Sequence, residues 1–142
     1  MAEPVGWQAM RSVLLLYRSM AAVVDQELKD LRLRSIDFQI LKQLQSTETG
    51  TCLLGEVARE LFVHATTVSI ATERLATRDL VVRRAHPTDR RATLVSITDE
   101  GRTLAEAATA ALAAAEFGLA GLTPDQLAAL GGVQSRGRIL GR

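Results

Sequence analysis

The sequence predicts a mostly α-helical protein with one small β-hairpin, and three features carry that expectation. Helical periodicity runs through most of the chain, alanine dominates residues 105–120, and two strand-like runs flank a basic, proline-containing turn between residues 81 and 97. Apolar residues make up 47% and aromatic residues only 4%, so helices are expected to pack closely through small side chains rather than to line an aromatic enzyme cavity. At 142 residues the chain fits one domain, or one domain with helical extensions, and can bury a real core.

Trp7, Met10, Leu14, Tyr17, Ala21, Val24, Leu28 and Leu31 recur in alternating steps of three and four, tracing one face of a continuous first helix about 36 Å long. A second apolar row, Val13, Leu16, Met20 and Val23, lies beside it. That is more apolar surface than a small helical body covers, so this helix is expected to meet a partner. Ser35 is placed to cap a second helix through Ile36, Phe38, Ile40, Leu41 and Leu44, and residues 45–50 are polar enough for the loop that follows. Leu54 to Phe62 reads as a short third helix. Residues 64–80, HATTVSIATERLATRDL, carry the amphipathic pattern of a fourth, placed at residues 65–77.

The fourth helix runs directly into the hairpin. Val81 and Val82 before the turn, and Leu94, Val95 and Ile97 after it, are the β-branched and apolar residues that suit two strands packed on one face. The tip, His86-Pro87-Thr88-Asp89-Arg90-Arg91, is too polar for a core. A candidate recognition helix followed by a candidate wing outlines a winged helix-turn-helix. Charge supports a nucleic-acid role: residues 74–91 hold six arginines against two acids, a local balance of +4 on a chain whose total is +1. Such a stripe, here Arg74, Arg78, Arg83, Arg84, Arg90 and Arg91, favours phosphate because neutralised phosphates release counterions.

Thr98 is placed to cap a long fifth helix with Asp99 and Glu100 in its first turn, where negative charge suits the helix dipole. Thr123-Pro124-Asp125-Gln126 opens a sixth, with threonine as cap, proline at the first helical position and glutamine completing a capping box. The expected organisation is an N-terminal dimerisation helix at 1–34, a winged helix-turn-helix DNA-binding region at 35–98 and C-terminal dimerisation helices at 99–142, forming one intertwined domain. An intramolecular bundle of the two ends is the alternative.

Arg18 interrupts the longest apolar region and no secretory pattern opens the chain, so a cytoplasmic protein without a membrane partner is expected. One cysteine excludes an intrachain disulfide, and Cys52 with only His64 and His86 makes no zinc set. No cofactor is expected. Nor do a nucleophile, a base and an orienting group occur together, which argues against an enzyme.

The chain resembles the MarR family of transcriptional regulators over nearly its whole length. The resemblance is densest in EVARELFV, TTVSIATERL, RDLVVRR and DRRATLVSITDEG, between Glu56 and Gly101. Asp89, Arg91, Ile97, Thr98 and Gly101 meet the family's wing signature, and GLTPDQLAAL, from Gly121, is similar to its final dimerisation helix. The resemblance implies a homodimer bound to a pseudopalindromic operator in double-stranded DNA, usually as a repressor and often released by a small aromatic or anionic ligand. It implies that Arg91 enters the minor groove, that Asp89 orients it and that Arg90 is its neighbour. Thr66, Thr67 and Ser69 match the exposed start of the recognition helix, with Val68, Ala71 and Leu75 facing inward. Ile70 stands where the family often has a polar or basic residue; it either contacts thymine methyls or is simply packed or exposed.

Phe62 and Asp79 replace glycines common at the family's helix ends, and His64 and Leu53 stand where good caps are usual, so altered or strained turns are expected. Cys52 lies away from the position of the family's peroxide sensors and reads as a buried structural thiol. His64 and His86 read as structural or solvated. A winged-helix module that binds protein and not DNA is the rival reading, which the arginine cluster argues against.

Overall fold

The computed structural model describes residues 2–135, so residues 136–142 of the expected C-terminal segment lie outside the described residues. Helix α1 spans Val5–Leu28 and ends in a 3₁₀ turn at Lys29–Leu31. Then follow α2 (Ser35–Gln45), β1 (Thr51–Leu53), α3 (Leu54–Leu61), α4 (Ala65–Thr77), β2 (Val81–Ala85), β3 (Thr93–Ile97), α5 (Asp99–Ala114) and α6 (Pro124–Ser135). The winged helix-turn-helix is present, with α4 at the expected residues.

The wing hairpin is part of a three-stranded antiparallel sheet in the order β1-β3-β2. Strand β1 is an addition to the sequence reading. It is three residues long, too short to show alternation, and pairs Thr51, Cys52 and Leu53 with Ser96, Val95 and Leu94. The hydroxyls of Thr51 and Ser96, 2.7 Å apart, fasten its first residue. In the hairpin Val81 faces Ile97 and Ala85 faces Thr93.

The core gathers Leu28 from α1, Ile40, Leu41 and Leu44 from α2, Val57 from α3, Val68, Ala71 and Leu75 from α4, Val81 and Val95 from the sheet, and Ala105, Ala108 and Leu112 from α5. The alanines let α5 approach closely, as the composition suggested. Helix α1 behaves differently over its first four turns. Val5, Trp7, Met10, Val13, Leu14, Leu15 and Tyr17 all remain exposed within one chain, and Leu28 is its only buried residue.

The helix starts correct one expectation. Ser35 is the first residue of α2 and not its cap; Arg34 takes the cap position, and its backbone N–H donates to Asp37 Oδ2 at 2.9 Å. A carboxylate three residues into the helix makes a charge-assisted bond and suits the dipole, which leaves the Ser35 hydroxyl to accept from Gln39 Nε2 at 3.0 Å. The other two caps are as read. Thr98 Oγ1 accepts from Gly101 N at 3.0 Å, while Thr123 and Gln126 satisfy each other's backbone N–H at 2.9 and 3.2 Å.

Helices α3 and α4 end as the glycine replacements suggested. Phe62 and Asp79 are held in the left-handed region, with φ of 55° and 56°. At each, the following residue closes the end: Val63 N bonds Ala58 O at 3.0 Å and Leu80 N bonds Leu75 O at 3.0 Å. Leu53 and His64, at the cap positions of α3 and α4, make no side-chain cap bond. Gly101 is required by closeness: a Cβ there would collide with the carbonyl oxygen of Leu80.

Candidate nucleic-acid interface

Helix α4 has two distinct faces. Val68, Ala71, Thr72 and Leu75 are buried, which leaves Thr66, Thr67, Ile70 and Glu73 on the outside and Ser69 half-buried at the edge. At 53% exposure Ile70 is not packed, which leaves a thymine-methyl contact and simple exposure as its readings. Two short hydroxyls and an isobutyl-sized apolar group near a helix start suit phosphate oxygens and thymine methyls in a major groove.

The wing stands beside this face. Residues alternate sides along β2, so Arg83 and Arg84 cannot point the same way. Arg83 turns toward α4, where Nη2 reaches Ser69 Oγ at 3.4 Å, and Arg84 takes the opposite, exposed face. At the tip, His86 N bonds Ala92 O at 3.0 Å and closes the loop. The ring atom His86 Nδ1 accepts from the backbone N–H groups of Thr88 and Asp89 at 3.2 and 3.1 Å, and Asp89 Oδ1 accepts from Arg91 N at 3.0 Å. His86 therefore has a structural role in this turn, one of the two readings given for it. Asp89 acts on the backbone from which Arg91 departs. Arg90 and Arg91 are both exposed. A cleft of about 310 Å³ separates Arg91 and Asp89 from Leu53, Glu56, Arg59 and Ala65.

Two of the six arginines are engaged elsewhere. Arg74 Nη2 lies 2.7 Å from Asp37 Oδ1, an acid only 4% exposed, because a buried carboxylate requires a cation. Arg78 donates through Nη1 to Arg32 O at 2.7 Å and through Nη2 to Leu31 O at 3.1 Å. Thr66, Thr67, Ser69, Ile70, Arg83, Asp89, Arg90 and Arg91 are thus gathered around one helix and its wing, with Arg84 on the wing's far face and Arg74 turned to α2.

The sequence reading missed the roles of Asp37 and Arg78. Asp37 could have been found from its place three residues after a helix cap; Arg78 depends on partners that only the fold supplies.

Cys52 is half-buried in β1. Burial pushes its thiol above the ordinary range, and Glu56 and Glu60 push the same way, so the neutral thiol is favoured. Among the described residues no cluster of His, Cys, Asp and Glu is placed to hold a metal ion, and no helix is long and apolar enough to cross a membrane. A second cavity, about 350 Å³, lies between α1, α2 and α5, with Tyr17, Met20, Val24, Asp25, Phe38 and Phe117 in its wall.

A recognition helix packed on a second helix, followed by a two-stranded wing and flanked by long helices, defines a winged helix-turn-helix protein. A MarR family model matches residues 31–92. A MarR family transcriptional regulator from Streptomyces coelicolor is similar at 27% identity, covering 95% of this chain and 94% of that one with a TM-score of 0.82. BpsR of Bordetella bronchiseptica, whose DNA binding is regulated by 6-hydroxynicotinic acid, is 26% identical, with 91% and 97% covered and a TM-score of 0.78. Another Streptomyces coelicolor family member, solved in complex with DNA, shares the fold at 22% identity, with 95% and 87% covered and a TM-score of 0.79. No curated protein matches the chain. The chain is thus similar to the MarR family of transcriptional regulators, over residues 31–92 by the family model and over nearly its whole length by fold.

Proposed function

We propose that this chain is a homodimeric, sequence-specific DNA-binding regulator, a repressor that leaves its operator when a small ligand binds. The observation that carries this reading is the exposed Thr66, Thr67 and Ile70 face of α4 standing beside a wing tipped by Arg90 and Arg91. In that reading α4 enters the major groove of double-stranded DNA, Arg91 enters the adjacent minor groove, and Arg83, Arg84 and Arg90 neutralise phosphates. Residues 1–34 and 99–142 form the dimer, which covers the exposed apolar face of α1 together with Leu127, Leu130 and Val133 of α6. Residues 35–98 read the DNA. Dimer symmetry makes the operator pseudopalindromic.

The solved relatives that bind DNA and respond to 6-hydroxynicotinic acid support the class of function. For the ligand, the cavity beside Tyr17, Phe38 and Phe117 suits a flat aromatic body. Asp25 in its wall favours a donor over an anion, so of the two expected ligand classes the aromatic fits better. Nothing in this role is enzymatic, and the protein acts where the chromosome is, in the cytoplasm.

The test is selection of duplexes from random DNA by the full-length protein, followed by fluorescence anisotropy over a salt series. A two-fold-related consensus is expected, with affinity falling steeply as salt rises. Failure to enrich any sequence, with no salt-dependent binding, favours the protein-interaction reading instead.

A further inference from the structure

We infer that Arg74 and Arg78 are positioning residues that bolt the recognition helix to the corner between α1 and α2 and so set the spacing between half-sites that the dimer accepts. The inference rests on the homodimeric DNA-binding reading above.

The geometry is specific. Arg78, one residue beyond the last turn of α4, reaches the carbonyls of both Leu31 and Arg32, which terminate the helical run begun by α1. Those carbonyls belong to a helix end, where oxygens lack intrahelical partners and a cation is favoured. Arg32 itself is left-handed, with φ of 54°, so the chain reverses there and presents both oxygens on one side. One turn back along α4, Arg74 bonds Asp37 Oδ1 at 2.7 Å while Asp37 Oδ2 accepts from Arg34 N at 2.9 Å. A single carboxylate thus joins the start of α2 to α4. Two guanidiniums, four residues apart on one side of α4, grip both sides of the corner between α1 and α2.

The consequence is dimensional. In a two-fold dimer the separation of recognition helices must match one helical turn of DNA, about 34 Å. That separation is set by how each α4 is fixed to the dimerising helix of its own chain. Core packing of Val68, Ala71 and Leu75 controls how deeply α4 is seated, yet apolar contacts resist sliding and rotation poorly because they are non-directional. Charge-assisted hydrogen bonds to fixed oxygens supply the missing direction. Arg74 is on this account no phosphate contact, although it lies within the basic stripe.

The experiment takes an operator selected by the full-length protein and compares it with versions carrying one base pair inserted or removed between the half-sites. Wild type, Arg74→Met, Arg74→Lys and Arg78→Met are measured by anisotropy over a salt series, with circular dichroism and sedimentation confirming folded dimers. Wild type is expected to lose roughly tenfold or more on a one-base-pair change, and Arg78→Met only about threefold, a relief typical of residues that act on a site through others. Arg74→Lys keeps a cation on Asp37 and should retain the wild-type preference. Salt slopes should stay unchanged throughout, whereas a lost phosphate contact lowers the slope by about one. Should Arg74→Met fail to fold, Arg78→Met decides alone, since it removes bonds to two carbonyls and strands no buried charge. Unaltered spacing preference in Arg78→Met, or a slope reduced by one in Arg74→Met, overturns the clamp while leaving DNA binding intact. A wild-type protein that selects no duplex overturns the DNA-binding reading and the clamp with it.

Discussion

Replacing Asp89 by asparagine and by alanine separates two ways in which the wing acid can act. In the structure Asp89 Oδ1 accepts from Arg91 N at 3.0 Å, so its work is done on the backbone. Asparagine keeps that acceptor and removes the charge; alanine removes both. Losing one hydrogen bond in a turn is worth about 0.5–1.5 kcal/mol, and that is the expected weakening of operator binding by Asp89→Ala. Asp89→Asn should bind as tightly as wild type or a few-fold tighter, because a carboxylate beside phosphate is repelled. Arg91→Ala, which removes the groove contact itself, should cost about 1–3 kcal/mol and lower the salt slope by about one, while Arg102→Ala on α5 changes little. Anisotropy at several salt concentrations gives all four numbers. If Asp89→Asn binds as weakly as Asp89→Ala, the charge and not the acceptor is what matters, and this account of the wing is wrong.

Three further outcomes are expected. Phe62→Gly should be more stable than Phe62→Ala by about 0.5–1 kcal/mol in urea denaturation, since both lose the ring but only glycine escapes left-handed strain of about 1–2 kcal/mol, part of it offset by chain entropy; equal stabilities reject the strain. Cys52 should alkylate more slowly than free cysteine at mildly alkaline pH, and its stabilising preference for the neutral thiol is present below the ordinary thiol pKa and lost as pH rises through the raised one. Peroxide that releases wild type but not Cys52→Ser from DNA would show a redox switch instead. Sedimentation should find the full-length chain dimeric at micromolar concentration and a deletion of residues 1–20 aggregated or unfolded, and a stable soluble monomer in either case contradicts the proposed use of α1.

What was legible in the sequence was what is local. The limits of α4, the hairpin strands and the caps at Thr98 and Thr123 all depend on neighbours within a few residues, and each is where the residue pattern placed it. The left-handed turns at Phe62 and Asp79 were legible too, through the resemblance, because helices must end somewhere and the missing glycines marked the strain. Strand β1 was not, since three residues show no alternation and its partner lies 45 positions away at Ser96. The same distance problem hid the true work of Arg74, whose acid is 37 positions upstream. In the sequence an arginine bonded to a buried acid and one pointing at solvent look alike, so the basic stripe does not reveal which of its cations are engaged within the fold.

The approach of Gly101 to Leu80 has a mechanical consequence. Thr98 Oγ1 donates to Asp79 O at 2.6 Å and accepts from Gly101 N, while Thr98 N bonds Leu80 O at 3.1 Å. The exit of α4, the root of the wing and the first turn of α5 are therefore tied into one knot with no room for a side chain between them. A knot of this kind couples the orientation of α5 to that of the wing. The wing's five-residue strands reach about 17 Å, so if wing and α5 turn together a tilt of about ten degrees carries the arginine tip about 3 Å, roughly half the width of a minor groove.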